Sequence, residues 1–138
     1  MAKADTLPEM YRPLMAAPSV RLGFCAVCGR PSPLEQHHMV RRGAGKIYRA
    51  GVEVPKPTVT LCGFGNNLRD AEGRPYCHGL AHANMLHFRW VEGSALPGRV
   101  FGSACAGGHI EYILLPEPTP YLDALGMPGW RRLRGRSR

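Results

Sequence analysis

The chain has 138 residues, the size of one ordinary domain, and its hydrophobic fraction of 44% is typical of folded proteins. Its 17 Gly and 13 Pro leave little room for long helices or a large sheet. They exclude a Rossmann domain, a barrel or a helical bundle and predict a small, loop-rich α+β fold. The formal net charge of +8 favours a polyanionic partner, most often nucleic acid.

The first half of the chain predicts one short helix and two strands. Residues 7–15 are expected to form one helix. It should be short, because the Pro residues in and after this stretch argue against a longer one. Residues 34–40 and 58–61 have the β-prone character of two hairpin strands. The stretch between them, residues 41–56, is rich in Gly and contains Pro, which is typical of a long connecting loop.

The second half predicts a longer helix and a further hairpin. Residues 78–93 lack Pro and end at a Gly suited to a helix C-cap, so we expect a helix of about three to four turns there. Residues 99–104 and 109–115 flank a Gly-Gly turn and favour a hairpin. Five of the last eight residues are Arg, a block that we expect to be disordered unless it binds phosphate.

These elements divide the chain into an N-terminal arm (1–20), a core rich in Cys and His (21–93), and an extension with a basic tail (94–138). No stretch approaches the ~20 apolar residues that a helix needs to cross a bilayer, and the N-terminus lacks the apolar core of a secretory signal. We therefore expect no membrane contact and a reducing cytoplasm, where clustered Cys are metal ligands rather than disulfide partners.

Two cysteine pairs predict a structural zinc site. Cys25 and Cys28 have the spacing of a zinc knuckle and are followed by Gly, so both thiolates can reach one tetrahedral ion. Cys62 and Cys77 could complete the four ligands, although 14 residues separate them where a knuckle normally has about two. The intervening residues, 63–76, have the composition of a surface loop inserted into the second knuckle.

Two alternatives exist for these thiols. They could be buried small hydrophobes, as free Cys often is. A thiol redox role is disfavoured, because Cys25 and Cys28 open no evident helix. Cys105 is interpreted as a spare thiol, although it could replace Cys62 or Cys77 as a ligand.

Two histidine pairs predict a second metal site. His37 and His38 end a predicted strand, where adjacent side chains point to opposite faces, so one can bind metal while the other handles protons. His78 and His82 are four residues apart on the predicted helix, which places both imidazoles on one face. An isolated His there would more often be a surface or core residue, but four of them beside a thiolate knuckle favour metal binding. The other two His, at positions 87 and 109, are interpreted as structural.

Four short motifs stand in order along residues 22–90, about half of the chain: Cys25-x-x-Cys28-Gly29, Glu35-Gln36-His37-His38, Val59-Thr60-Leu61-Cys62 and Cys77-His78-x-x-x-His82. Together they resemble the HNH endonuclease family, most closely its zinc-knuckle form common in phages and prophages. The resemblance implies a ββα-metal (His-Me finger) core, in which a β-hairpin and a helix hold one catalytic divalent ion, next to a zinc knuckle with four cysteine ligands.

The resemblance implies a role for each histidine of the two pairs. His37 matches a metal ligand and His38 matches the general base. His78 matches the final metal-binding His of the motif, and His82 matches a second helical ligand of the colicin-type nucleases. The ligands implied for a structural zinc are Cys25, Cys28, Cys62 and Cys77.

The sequence departs from the family pattern at one position. The family's middle Asn normally stands five residues before the third knuckle Cys, and Pro57 occupies that position here. This Asn helps to fix the loop and to orient the base in the family. Asn66 and Asn67, in the insertion, are candidates to replace it in space.

The implied activity is metal-assisted hydrolysis of phosphodiester bonds in DNA, expected to be double-stranded, with 5′-phosphate and 3′-hydroxyl products. The implied cofactors are a structural Zn²⁺ and one catalytic divalent cation, either Mg²⁺, Mn²⁺, Ni²⁺ or Zn²⁺. The family also implies a bacterial or phage-infected cytoplasm and suggests phage packaging proteins as partners. Basic side chains that either position phosphates or form a solvated face are Arg41, Arg42, Lys46, Arg49, Arg131, Arg132 and Arg134.

The alternative function is a non-catalytic zinc-ribbon module that binds DNA or a protein. The missing Asn and the stretched second knuckle favour this alternative. The two His pairs favour the nuclease, because a structural ribbon has no use for a second metal site.

Overall fold

The computed structural model describes residues 9–40, 47–93 and 108–133, and their regular elements are three antiparallel sheets, two short α-helices and one 3-10 helix. This is a small α+β fold, as the composition predicts. The elements in chain order are a 3-10 helix (Glu9–Ala16), strands β1 (Leu34–His38), β2 (Ile47–Arg49), β3 (Val52–Val54) and β4 (Thr58–Cys62), helix α1 (Cys77–His82), strands β5 (Leu86–Glu92) and β6 (Gly108–Leu114), helix α2 (Tyr121–Leu125) and strand β7 (Arg131–Arg132).

Strands β1 and β4 form the antiparallel pair that the sequence predicts. Their register places Leu34 opposite Cys62 at one end and His38 opposite Thr58 at the other. Val59 and Leu61 of β4 are fully buried, and Thr60 and Cys62 are buried as well, so both faces of this strand are covered. The hairpin therefore carries a cysteine at one end and the two adjacent histidines at the other.

The stretch predicted as a long loop contains a second hairpin. Strands β2 and β3 pair across Ala50 and Gly51, whose φ angles of 53° and 81° are both left-handed. Two consecutive left-handed residues give a turn whose twist matches that of the flanking strands. The loop prediction is therefore wrong for residues 47–54, and residues 41–46 lie outside the described chain.

The long helix predicted at residues 78–93 is also wrong. Helix α1 ends at His82, and Asn84 adopts a left-handed φ of 63°, which no helix continues. The following residues form β5, in which Leu86, Phe88 and Trp90 are buried at a period of two. Large aromatic and branched side chains favour a strand. The absence of Pro permits a helix here, but pairing with β6 stabilises the strand instead.

The predicted strand at residues 109–115 is present as β6, but within the described residues it pairs with β5 and β7. The segment 99–104, its predicted partner, lies outside the described residues. Glu92, in the segment predicted as the core (21–93), pairs with Gly108, in the segment predicted as the extension (94–138). The three-stranded sheet therefore contains residues of both segments.

The predicted short N-terminal helix is present as a 3-10 helix. Pro13 lies inside it and lacks the N–H that a continuing α-helix would use. Tyr11 and Leu14 are buried from this helix, and Tyr11 stacks on Tyr121 with ring centroids 4.6 Å apart. The described part of the N-terminal arm therefore packs into the same core as the β-sheets.

Candidate functional site

Four cysteines from three separate parts of the chain converge at one point. The Sγ atoms of Cys25, Cys28, Cys62 and Cys77 all lie within 4.8 Å of one another, and those of Cys28 and Cys62 are 3.8 Å apart. A tetrahedral zinc ion with Zn–S bonds of about 2.3 Å requires sulfur–sulfur distances of about 3.8 Å. The cluster could therefore bind a metal ion such as zinc, and its members are the four thiols predicted from the sequence.

The ionisation of these thiols also fits a bound dication. Hydrogen bonds from Cys62 and Cys77 hold the pKa of Cys25 well below its usual range. Donating to the Cys25 thiolate raises the pKa of Cys62 to about 11. One thiolate thus opposes ionisation of the next, and a bound cation is what lets all four ionise together. The backbone N–H of Cys77 donates to Cys62 Sγ (3.2 Å), which acts in the opposite direction and favours the Cys62 thiolate.

Residues 63–76, which we call the insertion loop, leave and return to this cluster. The Asp70 carboxylate accepts hydrogen bonds from the backbone N–H groups of Glu72 (2.9 Å) and Arg74 (2.8 Å). It also accepts one from the Arg30 guanidinium (2.8 Å), which in turn lies 4.8 Å from the centre of the Tyr76 ring. The loop is therefore tied to the knuckle turn, and its length does not keep Cys62 from Cys77.

Three histidines, one near the other end of β1 and two on α1, form a second cluster. Each of His37, His78 and His82 offers one ring nitrogen, and these atoms lie within 4.8 Å of one another. The Nε2 atoms of His78 and His82 are 3.1 Å apart. Two nitrogens bound to one ion at about 2.1 Å would lie roughly 3.0–3.4 Å apart. The residues present therefore fit one metal ion, held by the end of β1 and by one face of α1.

Glu35 fixes the orientation of one of these histidines. Its Oε1 lies 2.7 Å from Nδ1 of His78, and its Oε2 accepts the backbone N–H of Gly65 at 2.7 Å. These two contacts hold the pKa of Glu35 below its usual range, the Gly65 bond first. A carboxylate at Nδ1 places the imidazole proton there, which leaves the Nε2 lone pair of His78 facing the other two histidines.

His37 is kept neutral by its surroundings. Burial lowers the pKa of His37 to about 3, and the neighbouring His78 and His82 act in the same direction. Its ring lies edge-on to His78, with centroids 5.1 Å apart. A neutral imidazole retains a free lone pair at physiological pH, which is the form that binds metal.

His38 is the exposed last residue of β1, outside the three-histidine group but on the same cleft. That cleft has a volume of about 850 Å³, and its lining includes Glu35, Asn66 and all four predicted histidines. The arrangement can therefore hold a divalent ion on three imidazoles, with a fourth imidazole on the cleft wall.

A glycine makes the close contact between the insertion loop and helix α1 possible. A Cβ at Gly63 would lie 2.7 Å from Cβ of His78 and 3.0 Å from Oε1 of Glu35. Such a distance is too short for an unperturbed side chain, so Gly63 lets the loop pack directly on the Glu35–His78 pair.

The two other histidines, interpreted from the sequence as structural, are not members of the three-histidine group, although His87 also lines the cleft. His87 is buried, and its Nε2–H points at the carbonyl oxygens of Asn84 (3.0 Å) and Thr119 (2.8 Å). His109 is buried against Glu111, with Nε2 and Oε2 2.9 Å apart.

Pro57, the departure noted in the sequence, has a backbone role. Pro57 is buried, and its carbonyl accepts the N–H of Met39 (3.0 Å) just beyond β1. Of the two candidate replacements, Asn66 lines the cleft, whereas the backbone N–H of Asn67 donates to the carbonyl of Phe64 within the loop.

The predicted basic residues are placed only in part. Arg131 and Arg132 are exposed on β7, at the edge of the three-stranded sheet. Arg49 belongs to β2. The positions of Arg41, Arg42, Lys46, Arg134 and the spare thiol Cys105 lie outside the described residues.

Sequence reasoning missed the role of Glu35, although a signal for it exists. Glu35 and His37 are two apart on a predicted strand, and side chains at that spacing share a face. The aromatic part of the cleft, which includes Tyr11, Phe88 and Tyr121, had no such signal, because it is assembled from distant segments.

Comparisons with protein-family models, with curated proteins and with solved structures found no match to this chain. Across the described residues, no helix combines the length and apolar character needed to cross a membrane.

Proposed function

We propose that this chain is a metal-dependent endonuclease of the HNH type, which hydrolyses phosphodiester bonds of DNA. The observation that carries the proposal is the convergence of His37, His78 and His82 on an open cleft that His38 also lines. In this proposal, β1, β4 and α1 form the ββα-metal core, and the cysteine cluster beside them is a structural zinc knuckle.

The residues of the cleft have separate tasks in the proposed reaction. His38 accepts a proton from a water molecule as that water attacks phosphorus, and the bond from phosphorus to the 3′ oxygen breaks. The departing 3′ oxygen takes a proton from solvent, so the products are a 5′-phosphate and a 3′-hydroxyl. His37, His78 and His82 would hold a divalent ion, which would supply Lewis acidity to neutralise phosphate charge and stabilise the departing oxygen.

Glu35 and the cysteine cluster act as supports in the proposal. Glu35 keeps His78 in the tautomer that can bind metal, because it accepts the proton on Nδ1. The cysteine cluster fixes Cys77, and therefore the start of α1, relative to β4. Since His78 follows Cys77 directly, the zinc knuckle would set the position of one ligand of the second metal.

The partner in this proposal is double-stranded DNA, attracted by the formal net charge of +8. Exposed Arg131 and Arg132 would contribute contacts to phosphates. A bacterial or phage-infected cytoplasm and an association with phage packaging proteins belong to the same proposal, and they rest on the family resemblance.

A plasmid nicking assay tests the proposal. Purified protein is expected to convert supercoiled DNA to nicked or linear forms with one or more of Mg²⁺, Mn²⁺, Ni²⁺ and Zn²⁺. A general base contributes about 10²–10⁴-fold, so His38→Ala should lose activity by that factor while its zinc content and melting temperature stay unchanged. Equal nicking by wild-type protein and His38→Ala would contradict the role of His38.

A non-catalytic zinc-ribbon module is the second candidate. The observation that favours it is that the cysteine cluster is complete without any histidine. Counting bound metals separates the two functions. A ribbon is expected to bind one zinc ion per chain, whereas the nuclease is expected to bind a second divalent ion that His78→Ala removes.

A further inference from the structure

The insertion loop presents two large apolar side chains to solvent. Phe64 is 61% exposed and Leu68 is 60% exposed. The backbone that carries them is well fixed, because Asp70 accepts three hydrogen bonds within and beside the loop and Tyr76 N–H donates to the Leu68 carbonyl (2.9 Å). Because the loop is already ordered, a ligand that contacts these side chains costs little further conformational entropy in the loop.

Phe64 is held at the edge of the histidine cleft by its two neighbours. Gly63 packs against His78, where an added Cβ would lie 2.7 Å from the His78 Cβ. Gly65 donates its N–H to Glu35 and lines the cleft. The backbone on both sides of Phe64 is therefore attached to the groups that orient the histidine cluster. Phe64 itself lies next to the cleft lining rather than in it, and its side chain is exposed.

Leu68 lies over the helix that carries two of the histidines. The position of a Cβ on Gly79 would be 3.1 Å from the Leu68 Cα and 3.3 Å from its Cδ2. The acidic side chain between these apolar residues and the knuckle is enclosed, because Asp70 is only 4% exposed between Arg30 and Arg74. Arg74 itself is 76% exposed, and Arg69 and Glu72 are exposed as well, so the loop presents two cationic side chains and one anionic side chain outward besides its apolar ones.

We infer that the insertion loop contacts nucleobases, with Phe64 stacking on an unpaired base next to the phosphate in the cleft and Leu68 packing beside it. This inference rests on the proposed function and adds a preference for DNA with unpaired bases at the cleavage position. An aromatic ring can stack on any base. Two side chains form a surface far smaller than the ~800 Å² that each partner contributes to a stable protein interface, which favours a nucleotide.

Binding to two fluorescein-labelled duplexes tests the inference. They have the same sequence except for three consecutive mismatches in one of them. The His38→Ala protein is used so that the DNA stays intact, and it is expected to bind the mismatched duplex more tightly. Adding Phe64→Ala should weaken binding to that duplex on the order of tenfold and remove the preference. The salt dependence should not change, because stacking releases no counterions.

Matched variants keep this test specific. Phe64→Leu retains an apolar side chain without an aromatic face and should behave like Phe64→Ala, whereas Phe64→Trp should restore the preference. Leu122→Ala removes another exposed apolar side chain, 64% exposed on α2, and should leave binding unchanged. Melting temperature and bound zinc, measured for every variant, confirm that each one folds.

Two outcomes would overturn the inference in different ways. If Phe64→Ala and Phe64→Leu bind the mismatched duplex as tightly as the parent, while wild-type protein nicks plasmid, the loop has no base contact and the nuclease proposal stands. If the parent binds neither duplex and wild-type protein nicks no plasmid with any of the four metals, the nuclease proposal and the inference both fail.

Discussion

The cysteine cluster and the histidine cluster are both attached to the β1–β4 hairpin, through Cys62 at one end and His37 near the other, and the adjacent residues Cys77 and His78 connect them on α1. Three of the four cysteines are buried, whereas the histidines lie on a cleft and His82 is exposed. Backbone N–H groups bond to the thiols, and a carboxylate bonds to the imidazole. The first cluster is enclosed by the chain, and the second is open to a ligand.

The difference shows how one small scaffold can separate stability from chemistry. The cysteine cluster joins three parts of the sequence that otherwise lie far apart, so its bound ion would contribute to folding itself. The histidine cluster lies on elements that are already in place, and its open side leaves room for substrate. We therefore expect substitutions in the first cluster to unfold the protein and substitutions in the second to change only metal binding and activity.

The largest effect is expected from Cys62→Ser. Structural zinc binds with an apparent free energy of about 10–16 kcal/mol, which is comparable to the whole stability of a small domain. Removing a buried thiolate ligand should abolish zinc binding and the cooperative thermal transition. Zinc content by elemental analysis and melting by circular dichroism measure both effects.

Cys105→Ser is the matched control for this substitution. Cys105 is interpreted as a spare thiol, so its replacement should leave the zinc content and the melting temperature unchanged. Loss of zinc in Cys105→Ser, together with retained zinc in Cys62→Ser, would show that the ligand set is wrong.

A smaller effect, confined to the histidine cluster, is expected from Glu35→Gln. The carboxylate accepts both the His78 proton and the Gly65 N–H, and an amide has only one oxygen to do so. Supporting groups of this kind contribute about 10–100-fold to metal affinity. Calorimetric titration of the zinc-loaded protein with Mn²⁺ or Ni²⁺ should show that loss, with the cysteine-bound zinc retained.

Glu117→Gln is a suitable control for the carboxylate, because Glu117 is exposed and does not line the cleft. It should titrate like the wild-type protein. If Glu35→Gln binds the second metal as tightly as the wild-type protein does, Glu35 does not support the histidine cluster.

The same contrast explains which parts of the fold could be predicted. The β1–β4 pair follows from a local pattern of β-prone residues, and it is present within two residues of the predicted ends. The helix predicted after Cys77 is too long. The prediction relies on the absence of Pro, whereas the alternation of Leu86, Phe88 and Trp90 is the pattern of a strand. Strand β5 is completed by β6, which lies beyond residue 107, and a local pattern does not reveal so distant a partner.

The candidate site is more predictable than the fold around it. Spacing alone brings together His78 and His82 on α1, and the strand end brings His37 beside them. The contribution of Glu35 depends on a contact across 43 positions of sequence, with His78. Contacts of that kind are fixed by the folded backbone, and a single sequence does not display them.

The smallest effect concerns His87, a buried histidine that belongs to neither cluster. Burial lowers the pKa of His87 below its ordinary value, although its hydrogen bonds to the carbonyls of Thr119 and Asn84 act in the opposite direction. The unfolded chain therefore takes up this proton more readily than the folded chain as the pH falls below about 6.5. The stability that neutral His87 contributes is present above that pH and is lost below it, by up to about 1.4 kcal/mol per pH unit.

His87→Gln keeps an N–H donor without a titrating group, so wild-type protein should lose stability relative to the variant between pH 7.5 and 5.5. Urea unfolding across this range, with bound zinc measured at each pH, tests the expectation, and a constant difference would show that His87 does not titrate differently in the folded and unfolded states.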